Sequence, residues 1–381
     1  MARDRLGVKP LYVHEDENGV TFSSEIAAVK DLVPNLGFDS HGIEQYRTLR
    51  MFSGGHTLYK GISIFPAGTY SLNGELTRYW ELPLEPQPAP EDEELLELIQ
   101  SSVNFRMIAD VPVGSYLSGG IDSSIVSAIS NVSHTWSVGT QLSNEFKEAQ
   151  QTSDVINSTH HNVLVDDSDF IQTAKWMIEK RQEPLCVPNE VLLYKLNQQV
   201  KPVNTVMLSG EGADELFAGY FRIFDWAART KTFDLVEFAK LYCYTDEPNL
   251  EIVESVLAPH LRETPYETVS SFFQIEHLHG LLRRVDNSSM LCGIEARVPF
   301  VDHRLVERLY AVDYNWKNAQ GISKAPLRRL AERFLPHEIA YRKKVGFPVD
   351  VNGILEREGF QTKKNPYDSW YEFNAAQLGI N

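Results

Sequence analysis

The hydrophobic rhythm of the chain changes near residue 90. Over residues 1 to about 82, apolar positions fall in short, β-leaning segments ("PLYVHED", "GVTFSSE", "GTYSLNG", "LTRYWEL") divided by the turn signals "ENG" and "NGE". Short strands are predicted there. The stretch "PLEPQPAPEDEE" follows, with four prolines between Pro83 and Pro90 and then an acidic run, the composition of a stiff linker. Beyond it, helix-period segments ("EELLELIQSSVNFRMI", "SSIVSAISNV", "EVLLYKLNQQV") alternate with short apolar runs ("VPVGSYLS", "TWSVGT", "NTVMLSG"). That alternation predicts βα units on a parallel sheet. After about residue 215 strands become scarce and the pattern is mostly helical. No repeat of about 20–50 residues is visible. The expected organisation is a β-rich segment at 1–82, a linker at 83–94, and an α/β domain at 95–381 whose C-terminal part is largely helical.

Composition narrows this picture. At 381 residues the chain is long enough for two domains with sizeable cores. Its 43% hydrophobic and 23% charged content is ordinary for a globular protein, with no apolar run of the roughly 18 residues that a membrane span needs. The start is charged from Arg3 onward, which argues against a secretory signal and makes a cytoplasmic location the expectation. The 36 Lys+Arg against 52 Asp+Glu give a net charge of −16, which disfavours nucleic acid as a partner. Cys186, Cys243 and Cys292 are odd in number, far apart and without a C-x-x-C, so neither a disulfide framework nor a zinc site is expected. All three are expected to be small buried hydrophobes.

Candidate chemistry begins at Leu117-Ser118-Gly119-Gly120-Ile121-Asp122-Ser123-Ser124, at a predicted strand-to-helix turn. Glycines let backbone approach an anion closely, and free N–H groups at a helix start point toward it. Phosphate is the natural occupant. A tight turn capped by Ser118 or Ser123 is the simpler alternative, but it leaves the Gly-Gly-x-Asp-Ser order unexplained. No G-x-x-x-x-G-K-[ST] occurs in the chain. A loop without that lysine suits a departing pyrophosphate, with Asp122 free to hold Mg²⁺ while a nucleophile attacks the α phosphorus. The expected product is an adenylate. A second turn, "NTVMLSGEGADELFAGY", carries Glu211, Asp214 and Glu215, and two such turns can face one crevice at the carboxyl ends of parallel strands. A preference for acids in the first turn of a helix accounts for Asp214 and Glu215 but not for Glu211 between two glycines.

These motifs resemble the asparagine synthetase family, the glutamine-dependent type whose synthetase domain is an SGGxDS-containing ATP pyrophosphatase. The matching stretches are "SYLSGGIDSS" (115–124), "SVGT" (137–140), "THHNVLV" (159–165), "LSGEGADELFAGY" (208–220), "HGLLRRVDNSSMLCGIEARVPFVDHRLVE" (279–307) and "RKKVGFPV" (342–349), in the family's order. The resemblance implies ATP and Mg²⁺ as cofactors, with Asp122 and Asp214 holding the metal and pyrophosphate. It implies a phosphate loop of Ser118, Gly119, Gly120, Ser123 and Ser124, and nucleotide contacts from Leu117, Val138, Gly139, Ser209 and Gly210. Glu211 is implied in the acid-base step. Lys344, with Arg342 and Phe347 in register, is implied as the cation that stabilises developing phosphate charge. The implied reaction converts aspartate, or another carboxylic acid, into an amide through a β-aspartyl-AMP intermediate with ammonia as donor. A related lactam-forming enzyme and a non-catalytic nucleotide-binding remnant are the competing readings. Ala218 stands where the family usually has glycine.

Three surroundings carry further expectations. Lys324, Arg328, Arg329, Arg333, Arg342, Lys343 and Lys344 stand against only Glu332 and Glu338, suggesting a local anion site rather than a solvated basic face. Arg283, Arg284, Asp286, Glu295 and Arg297 are expected to form an internal ion-pair network. His160 and His161 lack neighbours at metal spacing and are expected to be structural. Residues 1–82 are similar to the second half of a class II glutaminase, a domain that needs an N-terminal cysteine nucleophile. The chain begins Met1-Ala2-Arg3 and its nearest cysteine is Cys186, so no glutaminase nucleophile is expected. Half a sandwich exposes strand edges, so this segment is expected to be the less stable part or to bind another polypeptide. A separate glutaminase polypeptide and a second copy of the chain are the candidate protein partners.

Overall fold

Alternating apolar residues in the first 80 positions pair into two small antiparallel sheets. The computed structural model describes residues 1–33, 35–343 and 349–380. Strands β1 (Tyr12–Asp16), β2 (Gly19–Ser23) and β3 (Ile62–Ile64) form one sheet in the order β2-β1-β3. Strands β4 (Thr69–Leu72) and β5 (Glu75–Arg78) form a hairpin whose turn residues, Asn73 and Gly74, have φ of 52° and 88°. Both positive angles are what a two-residue hairpin turn demands. Val20 and Phe22 are exposed on the edge strand β2. The helices Ile26–Leu32 and Ser40–Leu49 were not legible in the pattern; the second is capped by Asp39, which accepts from the His41 N–H.

The larger sheet is parallel throughout. Strands β6 (Val113–Tyr116), β7 (His134–Gly139), β8 (Thr159–Leu164), β9 (Val206–Leu208) and β10 (Glu295–Arg297) lie in the order β10-β9-β6-β7-β8. β6 pairs with β7 on one side and with β9 on the other, so the chain changes direction across the sheet beside β6. A crevice at the carboxyl ends of β6 and β9 follows from that topology. The helix Ile121–Ser130 buries Ile121, Ile125 and Val126 against Leu95, Ile99 and Val103 of the helix Asp92–Met107. Past residue 215 the described chain is helical apart from β10, and Phe224, Phe238, Tyr242, Phe272 and Phe273 form a second, aromatic core there. Ala218 lies in that core with φ +53°, the left-handed conformation that glycine adopts without steric cost. No described helix is long and apolar enough to cross a membrane.

The N-terminal segment is docked onto the larger unit through hydroxyls and charges. Tyr12 Oη donates to Glu183 Oε2 at 3.1 Å, Tyr46 Oη to the Leu185 carbonyl at 3.0 Å, and Tyr59 Oη to the Gln182 carbonyl at 2.7 Å. Lys9 Nζ meets Asp286 Oδ1 at 2.7 Å. The proline stretch is itself held, since the Gln87 N–H donates to the Tyr310 carbonyl at 3.0 Å. Helix begins at Asp92, three residues before the domain start at 95 expected from the pattern. Its acidic first turn is matched by Arg329 on Asp92 (2.8 Å) and Arg308 on Glu94 (2.6 Å).

Two packing expectations are corrected. The five charged residues between 283 and 297 do not form one network. Asp286 turns to Lys9, Glu295 pairs with Arg297 at 2.9 Å, Arg284 donates to the Arg50 carbonyl at 3.2 Å, and the Arg283 guanidinium lies 4.9 Å from the Phe52 ring centre. The helix Leu278–Met290 passes between segments, so its faces meet different partners. Among the cysteines only Cys186 is fully buried, while Cys243 and Cys292 are half-buried. Burial pushes the Cys243 thiol up to about 12 and that of Cys292 to about 11, away from reactive thiolate.

Candidate active site

The glycine loop leaves β6 and enters the helix Ile121–Ser130 without a side-chain cap, Gly120 being the N-cap residue. Serines brace the loop internally instead. Ser123 Oγ accepts from the Ser118 N–H at 3.0 Å, and Ser118 Oγ accepts from the Gly120 N–H at 3.2 Å. The simpler reading of Ser118 or Ser123 as a helix cap therefore fails. Gly119 donates its N–H to Glu145 Oε2 at 3.1 Å, and a Cβ there would stand 2.6 Å from Glu148 Cβ. Ser124 Oγ turns back to the Gly120 carbonyl at 2.8 Å.

The second turn presses directly on the first. After β9 come Ser209, Gly210, Glu211 and Gly212, then the short helix Ala213–Leu216. A Cβ on Gly210 would lie 2.7 Å from the Ser123 nitrogen and 2.8 Å from the Asp122 carbonyl carbon, so only glycine permits this approach. The contact brings the two aspartates together. Asp122 Oδ2 and Asp214 Oδ1 each lie 2.6 Å from Nζ of Lys324, whose side chain is only 5% exposed. Glu211 is half-buried beside them, its N–H donating to Ser209 Oγ at 3.3 Å.

Behind Asp214 lies a buried polar chain. Tyr220 Oη donates to Glu215 Oε1 at 2.7 Å; His277 Nε2 lies 3.1 Å from that phenol, and His277 Nδ1 lies 2.9 Å from Tyr242 Oη. Burial, and then the Asp214 charge, push the Glu215 carboxyl up to about 8. Burial and the Arg284 guanidinium push the His277 imidazole down to about 3. His277 ends a π-helical turn, Phe273–His277, a backbone irregularity that aims it at Tyr220.

A cavity of about 410 Å³ opens between the two turns. Leu117, Ser118, Gly120, Asp122, Ser123, Val138, Ser209, Gly210, Glu211 and Asp214 line it, so the structure brings most of the expected residues to one place. Gly119, Ser124 and Gly139 sit behind its wall; a Cβ on Gly139 would stand 2.3 Å from Asn144 Cβ, so that glycine serves the packing of the next turn. Sequence reasoning missed Trp136, Ser137, Glu145, Asn189, Leu193 and Tyr220 on the lining. Trp136, Val138, Leu193 and Leu196 make an apolar wall opposite the polar turns, the division that a nucleotide's base and phosphates require. Lys344 and Phe347 lie outside the described residues.

Among its described residues, the basic segment is not a single anion site. Arg329 and Arg333 clamp Asp92 and Glu93, Arg328 donates to the Ala340 carbonyl at 2.7 Å, and Arg342 supports the loop from behind through the Glu148 carbonyl at 2.9 Å. Lys324 is the member of the described group that enters the site. His160 and His161 are structural: His160 Nδ1 meets Thr135 Oγ1 at 2.9 Å, and the His161 ring stacks on Trp136.

No group of three or more His, Cys, Asp or Glu among the described residues is arranged to hold a metal. Two carboxylates converging on one ammonium nevertheless fit Mg²⁺, which commonly takes one or two carboxylates and completes its shell with phosphate and water.

The family model for asparagine synthase matches residues 94–363, most of the chain. The chain belongs to the asparagine synthase family. A glutamine amidotransferase domain model matches residues 1–80. Among curated asparagine synthetases, the chain is 30% identical to "Asparagine synthetase [glutamine-hydrolyzing] 3" of Bacillus subtilis (strain 168), over 91% of this chain and 64% of that protein. It is 27% identical to "Asparagine synthetase [glutamine-hydrolyzing] 1" of the same organism, over 94% of this chain and 66% of the relative. To "Asparagine synthetase B [glutamine-hydrolyzing]" of Escherichia coli (strain K12) it is 27% identical, over 91% of this chain and 57% of that protein. The chain thus spans less than two thirds of the length of the first of these relatives.

Proposed function

We propose that the chain is an ATP-dependent carbon–nitrogen ligase that activates a carboxylate, aspartate first among the candidates, as an acyl-adenylate and passes the acyl group to ammonia. The observation that carries this reading is the contact between two glycine-punctuated turns, which gathers Asp122, Asp214 and Glu211 beside a phosphate-sized loop at the ends of β6 and β9. Family membership supports it.

A carboxylate and an amine at neutral pH form a salt, so a carboxylate oxygen must first become a leaving group. In the proposed first step the substrate oxygen attacks the α phosphorus and the α–β phosphoanhydride bond breaks, giving acyl-AMP and pyrophosphate. The Ser118–Ser123 loop holds the departing diphosphate, and the apolar wall around Trp136 and Val138 takes the base. Mg²⁺ supplies charge neutralisation on that diphosphate, and Asp122 and Asp214 would hold it. In the second step the ammonia lone pair attacks the acyl carbon, and the C–O bonding electrons leave with AMP. The proton shed by nitrogen passes to the Glu211 carboxylate, which lines the same cavity. Lys344 is assigned the phosphate charge that develops in both steps.

ATP–pyrophosphate exchange across a panel of amino acids tests the reading, with ammonium and glutamine then compared as donors. Exchange stimulated by aspartate, followed by ammonium-dependent amide formation, is the expected result. Exchange driven by another acid reassigns the substrate, and the absence of exchange with every acid removes the proposal.

A further inference from the structure

Lys324 sits where the Asp122 and Asp214 carboxylates meet, and it comes from a segment 202 residues from Asp122 in sequence. We infer that its ammonium is a built-in counter-cation: it holds Asp122 and Asp214 together and must be displaced before a divalent cation can take its place between them. This inference rests on the reading of the cavity as a nucleotide site.

Four features support it. The ammonium is equidistant from the two carboxylates, at 2.6 Å from each, so it bridges them rather than pairing with one. Its side chain is 5% exposed and those of the aspartates 18% and 17%, so solvent screens the trio weakly. Lys324 also adopts φ 56°, ψ 37° at the start of the helix Ala325–Ala331, a left-handed backbone that disfavours side chains other than glycine's yet delivers this one to the site. Finally, Gly219 closes the far side, where a Cβ would stand 1.8 Å from Asp214 Oδ1 and 2.5 Å from Lys324 Cε.

Charge and shape explain why this is a lysine. Asp122, Asp214 and Glu211 share one cavity, and that much like charge needs a cation to stay together. A lysine ammonium is a compact point charge on a flexible stem, whereas a planar guanidinium would be held in a fixed fork. The ammonium can therefore leave when a better cation arrives. A divalent ion alone would separate the buried ammonium from both aspartates at once. An ion carried in by a polyphosphate brings its own negative charge, to which the released ammonium can turn. The arrangement thus couples metal entry to nucleotide entry.

The test uses Mn²⁺ alone, with free ion followed by electron paramagnetic resonance, and thermal melts without nucleotide. Lys324→Met is expected to bind Mn²⁺ about tenfold or more tightly than the wild type, because a competing unit charge is gone from between the carboxylates. Without metal, its melting temperature should fall, and Mn²⁺ should restore it. Lys324→Met/Asp122→Asn removes one charge of each sign, so it should melt near the wild type without metal and should not bind Mn²⁺ tightly. Unchanged Mn²⁺ affinity in Lys324→Met, or an unchanged melt, overturns the inference. If Lys324→Met does not fold, the double variant decides: folding supports the counter-cation and failure to fold overturns it. No nucleotide enters these assays, so their failure leaves the adenylation reading standing, and a failure of pyrophosphate exchange leaves these outcomes interpretable.

Discussion

Gly210 and Gly120 both belong to the site, yet alanine at each should act on a different property. A Cβ at 210 meets the Ser123 nitrogen at 2.7 Å and the Asp122 carbonyl carbon at 2.8 Å, both backbone atoms that cannot rotate away. Restoring ordinary contact needs the two turns to part by roughly 0.7 Å, an overpacking strain of about 1–3 kcal/mol. Displacements near 1 Å at a reacting centre can cost about 10²-fold in rate, so ATP–pyrophosphate exchange should fall about 10- to 100-fold in Gly210→Ala. At 120 the new Cβ meets only Ser118 Oγ, at 3.3 Å, and otherwise stands in the open cavity. Gly120→Ala should keep the wild-type melt within about 0.5 kcal/mol. Its methyl would still hold phosphate off the loop, and losing one hydrogen bond to a charged group, about 1.5–3 kcal/mol, weakens ATP at least tenfold. Melts, ATP titration and exchange on both variants read these effects separately. Exchange within about threefold of wild type in Gly210→Ala, or wild-type ATP affinity in Gly120→Ala, would refute the reasoning.

Other consequences concern stability. The His277 imidazole, held down to about 3 by burial and Arg284, protonates in the unfolded chain near 6.5. The native state therefore binds fewer protons between those values, and stability present above pH 6.5 is lost as pH falls toward 3, at about 1.4 kcal/mol per unit. His277→Gln should remove that share of the acid slope, and an equally steep loss in the variant would contradict the assignment. Lys317 is fully buried with one hydrogen bond, to the Leu309 carbonyl at 2.9 Å, and burial pushes its ammonium down to about 7. Lys317→Met should stabilise the protein at pH 7 by about 1–3 kcal/mol, a gain that shrinks toward pH 10 as the unfolded lysine loses its proton; a lower melting temperature at pH 7 counts against it. Arg181→Met leaves Glu190, 2% exposed, with the Cys186 N–H at 2.6 Å and the Val187 N–H at 3.2 Å in place of its ion pair. Urea unfolding should show a loss of about 3–5 kcal/mol, and a loss below about 1 would contradict a buried pair.

What was legible in the sequence was local. The turn at 117–124 could be placed because an apolar strand, two glycines and a helix-period segment are contiguous, and 208–215 repeats that grammar. That both turns share one crevice followed from the parallel-sheet pattern. Long-range partners were not legible. Lys324 looked like one more residue in a basic run, and nothing near it in sequence announces a left-handed backbone or two aspartates. The arginines beside it suggest an anion site in sequence because composition counts charges without their partners, here the acids that open the helix at Asp92. Gly139 and Ser124 fit the motif but turn behind the wall, since a motif fixes position in the chain and not the direction a side chain faces. The Trp136, Leu193 and Leu196 wall was hidden for the same reason: in sequence these are only apolar strand and helix positions.

The central claim, that a carboxylate is activated on AMP, is tested most directly by the fate of oxygen. With ¹⁸O-labelled aspartate, ATP and ammonium, the account predicts that one labelled oxygen appears in AMP, because the carboxylate oxygen that attacked the α phosphorus leaves with it. Label in inorganic phosphate, or AMP formed without label, would contradict it.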